Sequence, residues 1–174
     1  QLVLVGTTDG WIYREENALS AGSSTRWQAV RPREGFVSSL AFDPSDPSIV
    51  YATFAGFGGR HVWRSQDAGH SWAAIDGRGT TAIPDIPVHS LVVDPRDRQR
   101  LYVGSDLGVF TSLNQGRTWA AENSGFANAV TEWLAIGTDQ DENPVLFAFT
   151  HGRGAWRVPL ASLTQPTRSL TGRR

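Results

Sequence analysis

The chain has 174 residues and a mass of 19.0 kDa, enough for one domain with its own core, and 16 basic against 17 acidic residues leave a net charge of −1. That balance excludes the basic excess of a general nucleic-acid binder, and 40% hydrophobic residues exclude a disordered tail. With no cysteine, disulfides, thiolate nucleophiles, iron–sulfur clusters and cysteine-ligated zinc are excluded as well.

The chain holds no methionine and opens on Gln1, which reads as processed or cut from something longer. All its basic residues are arginine, a codon bias rather than a phosphate-binding device. No apolar run approaches the roughly 18 to 20 residues of a membrane helix. No window carries a sustained helical period, whereas Gly, Pro, aromatic and β-branched residues read as short strands. In chain order the first strands are predicted at Leu2–Thr7, Trp11–Glu15 and Arg26–Val30.

From residue 36 the sequence repeats. Val37-Ser38-Ser39-Leu40-Ala41-Phe42-Asp43-Pro44 returns as Val88-His89-Ser90-Leu91-Val92-Val93-Asp94-Pro95, 51 residues later. Ile49–Thr53 returns as Arg100–Gly104, and His61–Ser65 returns as Gly108–Ser112 after four residues are lost from the loop between. Insertions confined to a loop are what a repeat architecture shows. Each unit closes on S-x-[DN]-x-G-x-[ST]-W: Ser65, Asp67, Gly69 and Trp72, then Ser112, Asn114, Gly116 and Trp119. Asp or Asn accepts backbone N–H groups of its own turn, Gly supplies an angle other residues resist, and Trp anchors the next strand. The last strands are predicted at Glu132–Thr138, Pro144–Thr150 and Ala155–Pro159.

These boxes, with Asp43-Pro44-Ser45-Asp46, Asp94-Pro95-Arg96-Asp97 and the closing Thr150–Arg157 segment, resemble the Asp-box of the BNR repeat family. That family includes sialidase-like, sortilin-like and xyloglucanase-like β-propellers, and the resemblance covers roughly residues 1 to 160. It implies an all-β fold of four-stranded antiparallel blades, about three and a half of them, from the C-terminal portion of a larger propeller. The expected division is a partial blade over 1–35, Asp-box blades over 36–87 and 88–130, a closing partial blade over 131–160 and a flexible tail over 161–174. Missing blades or a second chain would complete the ring. The resemblance also favours a secreted, periplasmic or extracellular setting.

The family's geometry implies that ligands meet the second-to-third strand loops and the blade-to-blade connections. The polar residues there are Asp9, Arg31, Arg33, Glu34, Arg60, Asp85, Asp106, Glu132, His151 and Arg153. Asp9, Asp85 and Asp106 are eligible for the paired carboxyls of a glycosidase. Asp9 and Asp106 also read as ordinary turn formers. Arg33, Arg60 and Arg153 would suit a substrate carboxylate. His151 sits in a Gly-flanked loop that reads either as a tight turn or as a ligand contact. The family's nucleophilic tyrosine has no counterpart, since Tyr51 and Tyr102 read as core and Tyr13 as structural. His61, His70, His89 and His151 lack metal-ligand spacing, so no metal and no cofactor are expected. Trp11, Trp63, Phe110 and Trp156 read as inter-blade core, while Phe57, Phe126 and Trp133 are candidates for stacking a sugar or docking a partner, with Trp133 also readable as core.

Function stays open between classes. Strong repeat signals and short loops favour a ligand- or partner-binding scaffold, with a glycan or another protein bound and no nucleic acid. The alternative is a secreted glycoside hydrolase, sialidase- or xyloglucanase-like, of which this chain is a fragment. A third reading is a photosystem-assembly-like or sortilin-like partner binder.

Overall fold

The computed structural model describes residues 1–122, 125, 126 and 128–160. The tail expected at 161–174 lies outside them. Among the described residues there is no α-helix, and no helix is long and apolar enough to cross a membrane. The strands form four antiparallel sheets, each with its strands side by side in chain order. The first holds β1 (Val3–Gly6), β2 (Ile12–Glu15) and β3 (Gln28–Val30). The second holds β4 (Phe36–Asp43), β5 (Asp46–Ala55), β6 (Val62–Ser65) and β7 (Ala73–Ala74). The third holds β8 (Val88–Val93), β9 (Leu101–Ser105), β10 (Gly108–Ser112) and β11 (Ala120–Ala121). The fourth holds β12 (Thr131–Thr138), β13 (Pro144–Thr150) and β14 (Gly154–Pro159).

Strand alternation explains how the sheets stack. On β9, Leu101 and Val103 enter the core shared with the second sheet, while Tyr102 between them enters the core shared with the fourth. Side chains at successive positions point to opposite faces, so a strand sandwiched between two sheets is apolar throughout. Burying each such side chain stabilises the stack by roughly 1.5 to 3 kcal/mol. The same division on β5 sends Tyr51 toward the third sheet and Ala52 and Phe54 toward the first. Three apolar clusters therefore cement four sheets face to face. The first-to-second hairpins of the second, third and fourth sheets are each shaped by an aspartate that accepts a backbone N–H two residues on: Asp43 from Ser45 (2.9 Å), Asp94 from Arg96 (2.9 Å) and Asp139 from Asp141 (2.9 Å).

Some expectations from sequence are corrected. Trp11 stands outside β2, because its N–H donates to the Thr7 hydroxyl (2.9 Å) and holds it in the preceding turn. Since β2 opens on Ile12 and β6 on Val62, the counterpart of Trp63 is Tyr13. Phe110 is core and Trp63, half-buried, packs against the core between the first and second sheets, but Trp156 is 38% exposed. Their indole N–H groups donate to Arg60 O (3.3 Å) and Arg153 O (3.1 Å), three residues earlier in each case. An indole needs an acceptor for its N–H, which draws these rings toward the loop end, whereas Phe110 has no such need.

The two S-x-[DN]-x-G-x-[ST]-W turns share one wiring. Ser65 Oγ accepts Gly69 N–H (2.7 Å), and Asp67 Oδ1 accepts Ser71 N–H (2.8 Å). Ser112 Oγ accepts Gly116 N–H (2.8 Å), and Asn114 Oδ1 accepts Thr118 N–H (2.9 Å). The serine, invariant between the two turns, thus closes the loop from inside. Hydrogen bonds from the Ser71 hydroxyl and N–H, helped by Ser65, hold the Asp67 carboxyl down to about 2 from its ordinary 3.8. A carboxyl depressed in the folded state stabilises fully above its unfolded value and loses that contribution as pH falls through the folded one. Asp67→Asn should therefore change stability little near neutrality, as Asn114 fills the same place. It should also flatten the acid loss between pH 3.8 and about 2, read by urea unfolding across that range.

Candidate functional site

In antiparallel meanders the second-to-third strand loops and the sheet-to-sheet connections fall at the same end. That end has a structural device not legible in the sequence. The first strand of each of three sheets carries an irregularity at the same register: between Val37 and Ser39, between Val88 and Ser90, and between Thr131 and Trp133. A bulge re-aims the extra residue. Here those residues are Ser38, His89 and Glu132. Ser38 Oγ donates to Val88 O (2.6 Å) and pairs with Thr53 Oγ1 (2.9 Å). His89 Nε2 meets Asp106 (2.7 Å), and Glu132 meets His151 Nδ1 (2.9 Å). Neighbouring sheets thus carry one histidine–carboxylate pair with its polarity exchanged, each joining a bulge to the loop after the second strand.

A larger cluster sits at the same end of the second sheet. Arg33 donates to Arg60 O (2.8 Å), and its guanidinium lies 5.5 Å from the Phe54 ring centre. That arrangement pins the 55–60 loop onto the 31–35 connection. Asp85 Oδ1 accepts Gly58 N–H (2.8 Å) and meets His61 Nε2 (2.9 Å). The Gly58 amide, followed by His61, holds the Asp85 carboxyl below its ordinary value. Arg60 reaches across to Gly77 O (3.0 Å). Beneath them Asp76 is buried and accepts His61 N–H (2.6 Å) and Val62 N–H (3.3 Å). Burial pushes the Asp76 carboxyl up, against those amide bonds. Phe57 projects from the tip of this braced loop, 69% exposed. An exposed aromatic on a braced loop can stack on a flat apolar face with little ordering cost.

The structure thus gathers Arg33, Phe57, Arg60 and Asp85 around His61. Asp9, Asp106 and the His151–Arg153 pair stand on three separate loops of the same end. Asp9 is turned to the Thr7 hydroxyl (2.6 Å), and its carbonyl accepts Arg31 Nη2 (2.7 Å). Arg153 is exposed. Trp133 is exposed as well, while Phe126 is partly buried and packs against the core between the third and fourth sheets. Sequence reasoning weighed His61 and His89 only for metal spacing and missed them as partners of Asp85 and Asp106. The signal for His89 was its position in the aligned repeat, opposite Ser38. His61 had none, since its partner lies 24 residues away across a connection.

No protein-family model matches the chain. A xyloglucanase of Paenibacillus sp is 34% identical over 105 residues, covering 51% of this chain and 10% of that protein. A xyloglucanase of Hypocrea jecorina (strain QM6a) is 29% identical over 120 residues, covering 68% of this chain and 13% of that protein. The crystal structure of the GH74 xyloglucanase from Xanthomonas campestris superposes with a TM-score of 0.65 at 18% identity, covering 92% of this chain and 27% of that one. The chain is therefore all-β, with about three and a half blades similar to part of a GH74 propeller, and spans a small share of the proteins it resembles.

Proposed function

We propose that the chain supplies blades of a xyloglucanase-like glycoside-hydrolase propeller and that the end bearing Phe57, Arg60 and Asp85 binds glycan. The observation that carries this reading is the identity of 34% and 29% to two xyloglucanases over much of the chain. The site chemistry supports it. A neutral polysaccharide offers apolar ring faces and many hydroxyls. The exposed Phe57 ring meets the first need. The carboxylates of Asp85, Asp106 and Glu132, each beside a histidine, meet the second as oriented acceptors. In the same reading the two Ser-Asp/Asn-Gly-Trp turns are Asp-boxes, residues 36–87 and 88–130 are blades, and the ring is completed by further blades. Hydrolysis itself would call on two carboxyls set apart across a bound sugar, with Asp85 and Asp106 the candidates from this chain.

Calorimetric titration with a xyloglucan oligosaccharide tests the binding surface. Phe57→Ala should weaken binding by roughly three- to tenfold, the share of an aromatic contact beyond its buried area. Undiminished affinity would remove Phe57 from the site. Failure of the unmodified chain to bind xyloglucan would remove the reading.

A further inference from the structure

We propose that a groove between the outer edges of the second and third sheets binds an extended peptide through its acidic side chains. The groove encloses about 460 Å³ and is lined by Arg64, Arg78 and Arg117 together with Ala74, Ile75 and Gln115. No carboxylate lines it. The nearest in sequence, Asp76, is buried and committed to two backbone amides.

The interface one sheet earlier provides an internal comparison. There Arg14 occupies the place of Arg64 and reaches the adjoining turn at Ala68 O (3.1 Å), just as Arg64 reaches Gln115 (2.8 Å). Arg14 is neutralised by Glu16 at 2.7 Å, and Glu16 also lies 3.7 Å from His70. In the second interface Gln66 stands where Glu16 does, and Arg117 stands where His70 does. Arg78 adds a third guanidinium. The charge balanced at the first interface is thus unbalanced at the second. Arg78 and Arg117 are exposed, and neither guanidinium has a partner among the described residues.

The groove also has a free backbone rim. β7 is the outermost strand of its sheet. Ile75 N–H donates to Val62 O (2.8 Å), and bonding alternates along an antiparallel pair. Ala74 therefore turns its own N–H and C=O outward, along the groove that it lines. An extended segment can pair with that rim while every second side chain points at the arginines. A strand whose alternate residues are acidic satisfies both features, whereas a small anion uses only the charge.

Fluorescence anisotropy with a labelled peptide of about eight residues, glutamate alternating with valine, tests this on the whole chain. Arg78→Gln and Arg117→Gln should each weaken binding by roughly three- to tenfold and together by more than tenfold, with melting temperature unchanged. Binding should fall as salt rises from about 50 to about 500 mM. A backbone N-methylated peptide of the same sequence should bind at least about fivefold more weakly, which separates strand pairing from simple ion exchange. Equal binding of a lysine-for-glutamate peptide, indifference to both arginine variants, or full binding of the N-methylated peptide would overturn the proposal. So would a sulfated oligosaccharide that occupies the arginines where the peptide does not. The groove's lining includes none of Phe57, Arg60 and Asp85, so its failure leaves the glycan reading standing.

Discussion

Trp119→Ala is expected to lower the free energy of unfolding by about 3 to 5 kcal/mol, the range for truncating a large buried aromatic. Trp119 is 4% exposed and sits in the core joining the second and third sheets. Its indole N–H donates to Ile75 O (2.7 Å) and its backbone N–H to Thr81 O (2.8 Å), both in the chain leaving the second sheet. Truncation opens a cavity and leaves the Ile75 carbonyl without that donor. Trp72, at the same place in the preceding repeat, is half-buried and donates to Gly69 O (3.1 Å) of its own turn. Trp72→Ala should therefore cost less, about 1.5 to 3 kcal/mol. Urea unfolding followed by circular dichroism checks both. A Trp119→Ala loss below about 1 kcal/mol would mean the ring does not anchor the sheet interface.

The second large effect is expected at the glycine of the same turn. Gly116 has φ +84°, and a Cβ there would lie 2.7 Å from both Ile75 O and Ile75 Cδ1. A left-handed conformation costs an L-residue about 1 to 2 kcal/mol, and overpacking adds about 1 to 3. Gly116→Ala should therefore cost about 2 to 5 kcal/mol. Gly69 has a similar φ of +90°, yet a Cβ there meets side chains rather than backbone, Leu4 at 3.1 Å and the Trp72 ring at an ordinary 3.7 Å. Gly69→Ala should cost about 1 to 2 kcal/mol, mostly backbone strain. The gap between the two glycines is what differential scanning calorimetry would read, because it isolates the neighbouring backbone from the shared turn geometry. Equal costs would show that Ile75 yields to the added methyl.

Both contrasts arise because identical motifs meet different neighbours. The turn motif could be read from residue types, since its hydrogen bonds close within seven residues or fewer. Which indole would bridge sheets could not, because Ile75 stands 44 residues from Trp119. The candidate site divides in the same way. Arg33, Phe57, Arg60 and Asp85 were recognisable as polar or aromatic loop residues, but their convergence on His61 depends on how the 31–35 and 76–87 connections fold over one loop. Ser38 and His89 could be aligned from the repeat, and Glu132 noted as polar, but the bulge that turns them toward the loop end leaves no mark in residue type.

The fold class, the strand order, the hairpin aspartates and the Ser-Asp/Asn-Gly-Trp turns were written in the sequence itself, because they follow from short-range hydrogen bonding and an alternation of side chains that needs no distant partner. The histidine–carboxylate pairs, the exposed place of Trp156 and the uncompensated arginines beside β7 were decided by tertiary structure. Each depends on which residues the folded chain brings within about 3 Å, and charge or hydrogen-bond balance at that range is a property of the assembled structure.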